Sequence, residues 1–266
     1  MNIEFMQILK VILYFIVYSF MGWVVESVFK TILAKKWINS GFLYGPFCPI
    51  YGFGAIIMMA TFSPIKDYPI LVFIVAFFVL SVWEYIAGWI LEKKFNTKYW
   101  DYTENFMNIN GRVCLLNSIF WGILGVAFIM FIHPFMQRYI EFLSKDELLF
   151  LDCMFAIIII FDTIITTIHI KSFDTSLNKI KELGETIKQK IAELKEHGEG
   201  LEYDKTNSLI EELKTKQAML KFKLYKQMSR LKLAFPKIKS ESISIFLNQK
   251  IDLKELREKI KDKIKH

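Results

Sequence analysis

The chain is poor in the residues and motifs that mark soluble catalysts. Its three cysteines, Cys48, Cys114 and Cys153, are widely spaced and form no metal-ligand or redox pair pattern. They read as small apolar packing residues. No G-x-x-x-x-G-K-[ST] phosphate loop occurs, so the chain has no route to ATP through that motif. No metal-ligand spacing or nucleophile motif supports an enzyme, and neither a metal nor a cofactor is expected. The first apolar run lacks a strongly basic start and a small-x-small cleavage site, and it is long, which argues against a cleaved signal peptide.

Long apolar runs are what the chain does have. A bilayer crossing needs ~20 mostly apolar residues, because the hydrocarbon core is about 30 Å thick and a helix rises about 1.5 Å per residue. Segments 8–29, 47–64, 69–91, 113–135 and 148–170 meet this to differing degrees. The second is interrupted by Pro46, Pro49, Gly52 and Gly54. It fits either a full crossing or a short helix entered through a re-entrant turn, since irregular backbone at depth must be shielded by protein or a cavity. The predicted fold is all-α, a polytopic membrane protein of about five transmembrane helices.

Charge divides the chain in two. Residues 1–170 hold 11 Lys/Arg and 12 Asp/Glu, whereas residues 171–266 hold 23 and 15, so the net +7 belongs to the tail. This predicts a transmembrane domain over 1–171 and a basic helical tail over 172–266. Loops 30–46 and 92–112 carry Lys30, Lys35, Lys36, Lys93, Lys94, Lys98 and Arg112. They share a side with the tail if there are five crossings. The positive-inside rule makes that side cytoplasmic and places the N-terminus outside.

The transmembrane domain repeats itself. Gly22-Trp23-x-x-Glu26 recurs as Gly88-Trp89-x-x-Glu92. Each is followed by a glycine, Gly41 or Gly111, and ten residues later by Tyr51-Gly52 or Trp121-Gly122. The offsets of 66 and 70 residues imply a duplicated two-helix unit, about 8–64 and 69–135, with an insertion in one copy. The fifth helix, 148–170, stands outside the repeat.

Ionisable groups within a span are costly unless paired or hydrated, so each is a candidate site. Glu26 and Lys30 fit an interfacial i,i+4 pair, and Glu92 lies beside Lys93 and Lys94. Glu84 is deeper. Its repeat equivalent is Tyr18, so duplication does not account for it, and Arg112 is the cation expected to pair with it. Asp162, Thr166 and His169 fall at i, i+4 and i+7 on one helical face. They could relay protons or hold a cation, or else form a hydrogen-bonded seam between helices. Asp152 and His133 are expected near the outer surface, where hydration suffices. Ser118 and Gly122 permit close helix approach, Asn117 can bond a neighbour, and Trp100-Asp101-Tyr102 reads as an interfacial aromatic anchor.

In the tail, Leu177, Ile180, Leu183, Ile187, Ile191 and Leu194 form one stripe. A second runs through Ile210, Leu213, Leu220, Leu224 and Leu231 and ends at Pro236, and a weaker helix follows at about 250–265. Residues 174–212 carry ten acids and six bases, and residues 214–239 nine bases and no acid. A helical hairpin or coiled coil of complementary charge accounts for both. A basic amphipathic helix on anionic lipid is the alternative. Nucleic acid is a weaker fit, because no base-reading signature accompanies the charge.

Taken as an ordered set, Gly22-Trp23…Glu26, Asn39…Gly41-Phe42-Leu43-Tyr44-Gly45-Pro46…Cys48-Pro49-Ile50-Tyr51-Gly52, Trp83-Glu84-Tyr85…Gly88-Trp89, Trp100-Asp101-Tyr102 and Asn108-Ile109-Asn110-Gly111-Arg112-Val113-Cys114-Leu115-Leu116-Asn117 resembles the CmpB-like family of bacterial membrane proteins. That family is labelled as ABC-transporter type IV permeases. The resemblance covers about residues 10–136, and Ala234-Phe235-Pro236 in the tail also looks family-like. It implies a transport subunit without its own ATPase, whose partner would dock on loops 30–46 or 92–112 or on the tail. Five helices make a small pore, so an oligomer is expected. The competing reading is a membrane scaffold or regulator acting through the tail. An intramembrane enzyme using Glu84, Asp162 and His169 is a third.

Overall fold

The computed structural model describes residues 3–196 and 201–239. Among them the order is α1 (Ile3–Ala34), α2 (Pro49–Phe62), a short 3-10 turn (Ser63–Ile65), α3 (Pro69–Phe95), α4 (Leu115–Ala127), a π-helical turn (Phe128–Ile132), α5 (His133–Glu141), α6 (Lys145–Glu196) and α7 (Leu201–Ala234). No β-strand occurs among the described residues. The helices begin where the sequence allows it, with Pro49 and Pro69 opening α2 and α3 at positions that need no amide donor. Asn96 closes α3 in the left-handed conformation that asparagine tolerates. The π turn has a local cause. Pro134 has no N–H, and the preceding amide, His133, reaches back five residues to the Phe128 carbonyl.

Four stretches are long and apolar enough to cross a membrane: Glu4–Ala34, Pro69–Phe95, Leu115–Glu141 and Lys145–Glu193. Their outer faces carry Phe78, Phe120 and Phe161, each more than half exposed. An apolar surface of that extent suits lipid and not water. This is a multi-pass membrane protein.

α2 is different. Its 14 residues reach only about 21 Å at 1.5 Å per residue, short of the hydrocarbon thickness. Its direction is set by its contacts with the neighbouring helices. α1 and α6 run the same way, with Lys145 over the Phe5 ring and Ile16 packed with Ile159. α2 runs opposite to α1, since Tyr51 sits on Gly22 and Gly52 on Phe15 and Ser19. α3 again runs opposite to α2, with Trp83 donating to the Ile50 carbonyl at 3.1 Å.

After Ala34 the connection before α2 runs back along α1. The Ile38 amide donates to Thr31 Oγ1 (3.0 Å), Ser40 to Ser27 Oγ (3.0 Å), and Cys48 to the Ser19 carbonyl (2.9 Å). Cys48 therefore lies fifteen residues of helix, about 22 Å, back from the end of α1. The loop is re-entrant, and hydroxyls of α1 satisfy its amides, as backbone at depth requires. The connection between α3 and α4 also dips inward, bringing Trp100 against Gly88 and Tyr102 to Glu84. Each loop turns on a glycine in the left-handed region, Gly41 (φ +94°) and Gly111 (φ +68°). At both, a side chain would be strained and would strike Cys48 Sγ or Asp101.

The core of this region gathers Leu9, Leu13, Tyr14, Phe62, Ala76, Leu80, Phe128 and Leu148. Gly125 packs against Ala76 and Gly122 against Phe73, so small residues bring α3 and α4 close. The Ser118 to Ser81 hydroxyl bond (2.7 Å) lies in the same seam.

The described residues divide into two compact units, 3–167 with 231–239, and 168–196 with 201–230. In the second unit the two helices meet where Gln217 donates to the Ile180 carbonyl at 2.9 Å, with Ile180, Ile187, Ile210 and Leu224 buried. The weaker helix expected at about 250–265 lies outside the described residues.

Candidate functional site

Two carboxylates anchor the re-entrant connections, and their partners differ in kind. Asp162 on α6 accepts the Tyr44 amide at 3.1 Å and the Gly45 amide at 2.7 Å, with the Thr166 hydroxyl at 3.1 Å. Asn39 donates to the Tyr44 carbonyl (2.7 Å) and accepts from Trp23 Nε1 (2.6 Å). Asp162 thus supplies acceptors to backbone that has no other helix or strand to bond. This is architectural work. Of the expected Asp162-Thr166-His169 stripe, the structure joins the first two. His169 is exposed, its carbonyl accepts from Ser172, and it falls in the second unit.

Glu84 is held by side chains. Its Oε1 accepts from Tyr102 and Asn117, both at 3.2 Å, and its Oε2 from Trp121 Nε1 at 2.9 Å. The residue is 5 % exposed, and among the described residues no cation lies within ion-pair distance. Every donor is neutral. Tyr102, in the loop, remains a phenol: burial first, and then the adjacent carboxylate, push its pKa well above the ordinary value.

The expected Arg112–Glu84 pair is corrected. Arg112 donates from Nε (3.0 Å) and Nη2 (2.7 Å) to Glu92 Oε2, and from Nη1 to the Tyr85 hydroxyl (3.1 Å), its guanidinium lying over the Tyr85 ring. The loop fixes this choice. Trp100 Nε1 holds the Arg112 carbonyl (2.9 Å), while Tyr102 donates its amide to the Gly111 carbonyl (2.8 Å) and occupies Glu84 itself. In the other half-domain Lys30 pairs with Glu26 at 2.5 Å, the pair expected from their spacing.

Trp100-Asp101-Tyr102 is not a lipid anchor. Asp101 is buried, accepting the Thr103 amide (3.2 Å) and hydroxyl (3.1 Å) and pairing with Lys239. Burial works to raise its pKa, and the Lys239 and Thr103 hydrogen bonds outweigh that and hold it below the ordinary carboxylate value. Asp152 and His133 are likewise more enclosed than expected. The Tyr18 hydroxyl bonds His133 Nδ1 at 2.9 Å beside the Tyr14 and Phe128 rings. Asp152 is buried, and among the described residues neither of its carboxylate oxygens has a hydrogen-bond partner.

Sequence reading placed Trp121 among the repeat residues and Tyr102 among surface anchors, and so missed both as ligands of Glu84. Other repeat residues make packing contacts. Gly22 and Gly88 seat the Tyr51 and Trp100 rings, Gly52 and Gly122 seat Phe15 and Phe73, and Trp89 carries Lys93 over its exposed ring. No group of three or more His, Cys, Asp or Glu side chains suited to a metal ion occurs among the described residues.

The sequence from 13 to 167 matches the model of the family described as "Putative ABC-transporter type IV". The chain belongs to that family. The matched region takes in both re-entrant loops and every Glu84 and Asp162 contact described above. No curated protein and no solved structure matches the chain.

Proposed function

We propose that this chain is the membrane subunit of an ABC-type transport system, a permease without its own ATPase, with Glu84 at its polar centre. One observation carries the reading: a buried carboxylate within a membrane-crossing helix, ringed by Tyr102, Asn117 and Trp121 and given no cationic partner among the described residues. Such a group can lose or gain a proton, or meet a cationic substrate, with far less rearrangement than an ion pair such as Arg112–Glu92. Glu84, Arg112, Asp162, Thr166 and His169 are the candidate intramembrane polar residues, of which the first three were expected to line a path. Within that set we now assign Glu84 the functional role, Arg112 and Asp162 the holding of the loops, and Thr166 the support of Asp162.

The two helix–loop–helix halves, each turning on a left-handed glycine, support an ancestral duplication, an arrangement common among transporters. The alternating directions of α1, α2, α3, α4 and α6 support five traverses of the bundle, α2 being completed by its re-entrant loop. With the basic loops inside, the N-terminus lies outside and the C-terminus in the cytoplasm. Residues 172–196 and 201–230 then form a cytoplasmic helical hairpin, and the ATPase partner docks on the loops or on this tail.

The alternative is a scaffold or regulator working through the tail. The docking of residues 231–239 on the loops favours it. Purification of the full chain from its native membrane decides between them. A co-purifying ATP-hydrolysing subunit, with ATP-driven flux in proteoliposomes that falls on Glu84→Gln, supports the permease. Partners lost on deleting the tail, without any ATPase among them, support the scaffold.

A further inference from the structure

The last described segment of the chain, Leu231–Lys239, packs on the inward-dipping loops. Lys239 and Lys98 exchange backbone hydrogen bonds in both directions, at 2.8 and 2.9 Å, in the manner of one rung of an antiparallel ladder. The Lys239 ammonium pairs with buried Asp101. The Phe235 ring meets Tyr99 edge-on at 5.1 Å between centroids, and Lys30 lies over its other side at 5.2 Å. Lys30 also donates to the Ala234 carbonyl. Leu231, Ala234 and Ile238 are buried.

These contacts draw on both halves of the membrane region. Lys30 lies in the last turns of the first half's long helix and is shared with Glu26. Lys98, Tyr99 and Asp101 belong to the second half's loop, and Tyr99 packs on Phe42 of the first loop at 5.5 Å. The segment offers what the groove accepts: apolar residues at 231, 234 and 238, an aromatic ring between a phenol and an ammonium, and a terminal cation for a buried carboxylate. Pro236 supplies the bend that ends α7 and turns the chain into the groove.

We propose that the loops form a peptide-binding groove whose ligand is the chain's own Leu-Lys-Leu-Ala-Phe-Pro-Lys-Ile-Lys segment at 231–239, and that its occupancy sets the state of Glu84. The link is covalent and short. Asp101, which takes Lys239, precedes Tyr102, which donates to Glu84. Releasing the segment frees the Lys98–Asp101 backbone, and with it the constraint that aims the Tyr102 hydroxyl. A partner that seizes the tail thereby gains control of the buried carboxylate. The groove stands on its own contacts, whereas this coupling rests on the role proposed for Glu84.

The test uses the full chain in lipid nanodiscs, with hydrogen exchange followed in the peptides covering 96–103. Phe235→Ala and Lys239→Glu each raise exchange there by about tenfold, and Phe235→Leu, which keeps apolar volume, by less. Unchanged exchange in all three variants overturns the groove. Adding a synthetic peptide of residues 231–239 to the Phe235→Ala chain restores protection, and failure to restore it also overturns the groove as a peptide site. Raised exchange with no change in flux, in a protein whose flux does respond to Glu84→Gln, overturns the coupling while leaving the groove in place. If Glu84→Gln itself leaves flux unchanged, the reading of Glu84 falls and the groove does not.

Discussion

Arg112 closes on Glu92, with Nη2 2.7 Å and Nε 3.0 Å from the same oxygen, and this leaves Glu84 to neutral donors alone. The two glutamates lie on α3 about two turns apart. The pairing separates a charge-matched lock near the end of the helix from an unmatched carboxylate deeper in.

Glu84 should be sensitive to the loss of its acceptors and tolerant of a change in charge. Glu84→Ala strands three buried donors at roughly 1–3 kcal/mol each, before relaxation. Glu84→Gln keeps one carbonyl acceptor and turns an NH2 toward the remaining donors, so it should cost less stability while abolishing any proton or cation exchange. Thermal unfolding in detergent, paired with flux in proteoliposomes, checks both. Alanine should lower the melting temperature more than glutamine does, and glutamine should cut flux nonetheless.

Arg112→Lys should fail to rescue Arg112→Ala. A lysine cannot hold Glu92 through two nitrogens while lying flat over Tyr85 and bonding its hydroxyl. The side chains keep partial contact with solvent, at 15 % and 32 % exposure, which holds the expected coupling to about 1 kcal/mol. A double-mutant cycle of Arg112→Ala with Glu92→Ala measures it, and a coupling near zero would remove the lock.

Asp101 and Lys239 give the docked segment a pH window. The Asp101 pKa is lowered in the folded chain, so its contribution is present above the ordinary carboxylate value and fades as pH falls through the folded one. Hydrogen bonding and charge attraction from Asp101 raise the Lys239 pKa, so that contribution is present below the ordinary lysine value and fades as pH rises through the higher folded one. The stability difference between the native chain and Lys239→Met should hold between about pH 4 and pH 10 and shrink on either side. Melting curves across that range check it, and a pH-independent difference would contradict the pair.

Much of this was open to inspection in the sequence. Apolar runs gave the long helices, Glu26 and Lys30 gave their i,i+4 pair, and Ser118, Asn117 and Gly122 gave close helix contact, because each depends on local spacing. What could not be read were contacts settled by loop paths. Nothing in the order Trp100-Asp101-Tyr102 says that the loop folds inward, so a buried aspartate and a carboxylate ligand passed for a surface anchor. Hydropathy likewise treats α2 as a span or a defect. It carries no information about a loop whose amides are satisfied by Ser19, Ser27, Thr31 and Asp162, far apart in sequence.

That loop supplies the last expectation. A Cβ on Gly45 would stand 2.9 Å from Asp162 Oδ2, so Gly45→Ala must push the loop from its anchor or the carboxylate from its amides. Asp162→Ala removes the anchor and leaves two backbone amides without an acceptor at depth, a loss of roughly 2–5 kcal/mol. The two changes damage the same contact, so they should be strongly non-additive, the pair costing little more than Asp162→Ala alone. Asp162→Asn should fall between, since one carbonyl oxygen can still take the Gly45 amide. If Asp162 served chiefly as a proton carrier, asparagine would instead match alanine in flux while leaving stability intact. Stability and flux measured on the same four proteins separate the two, and the short 2.7 Å bond to the Gly45 amide argues for the anchor.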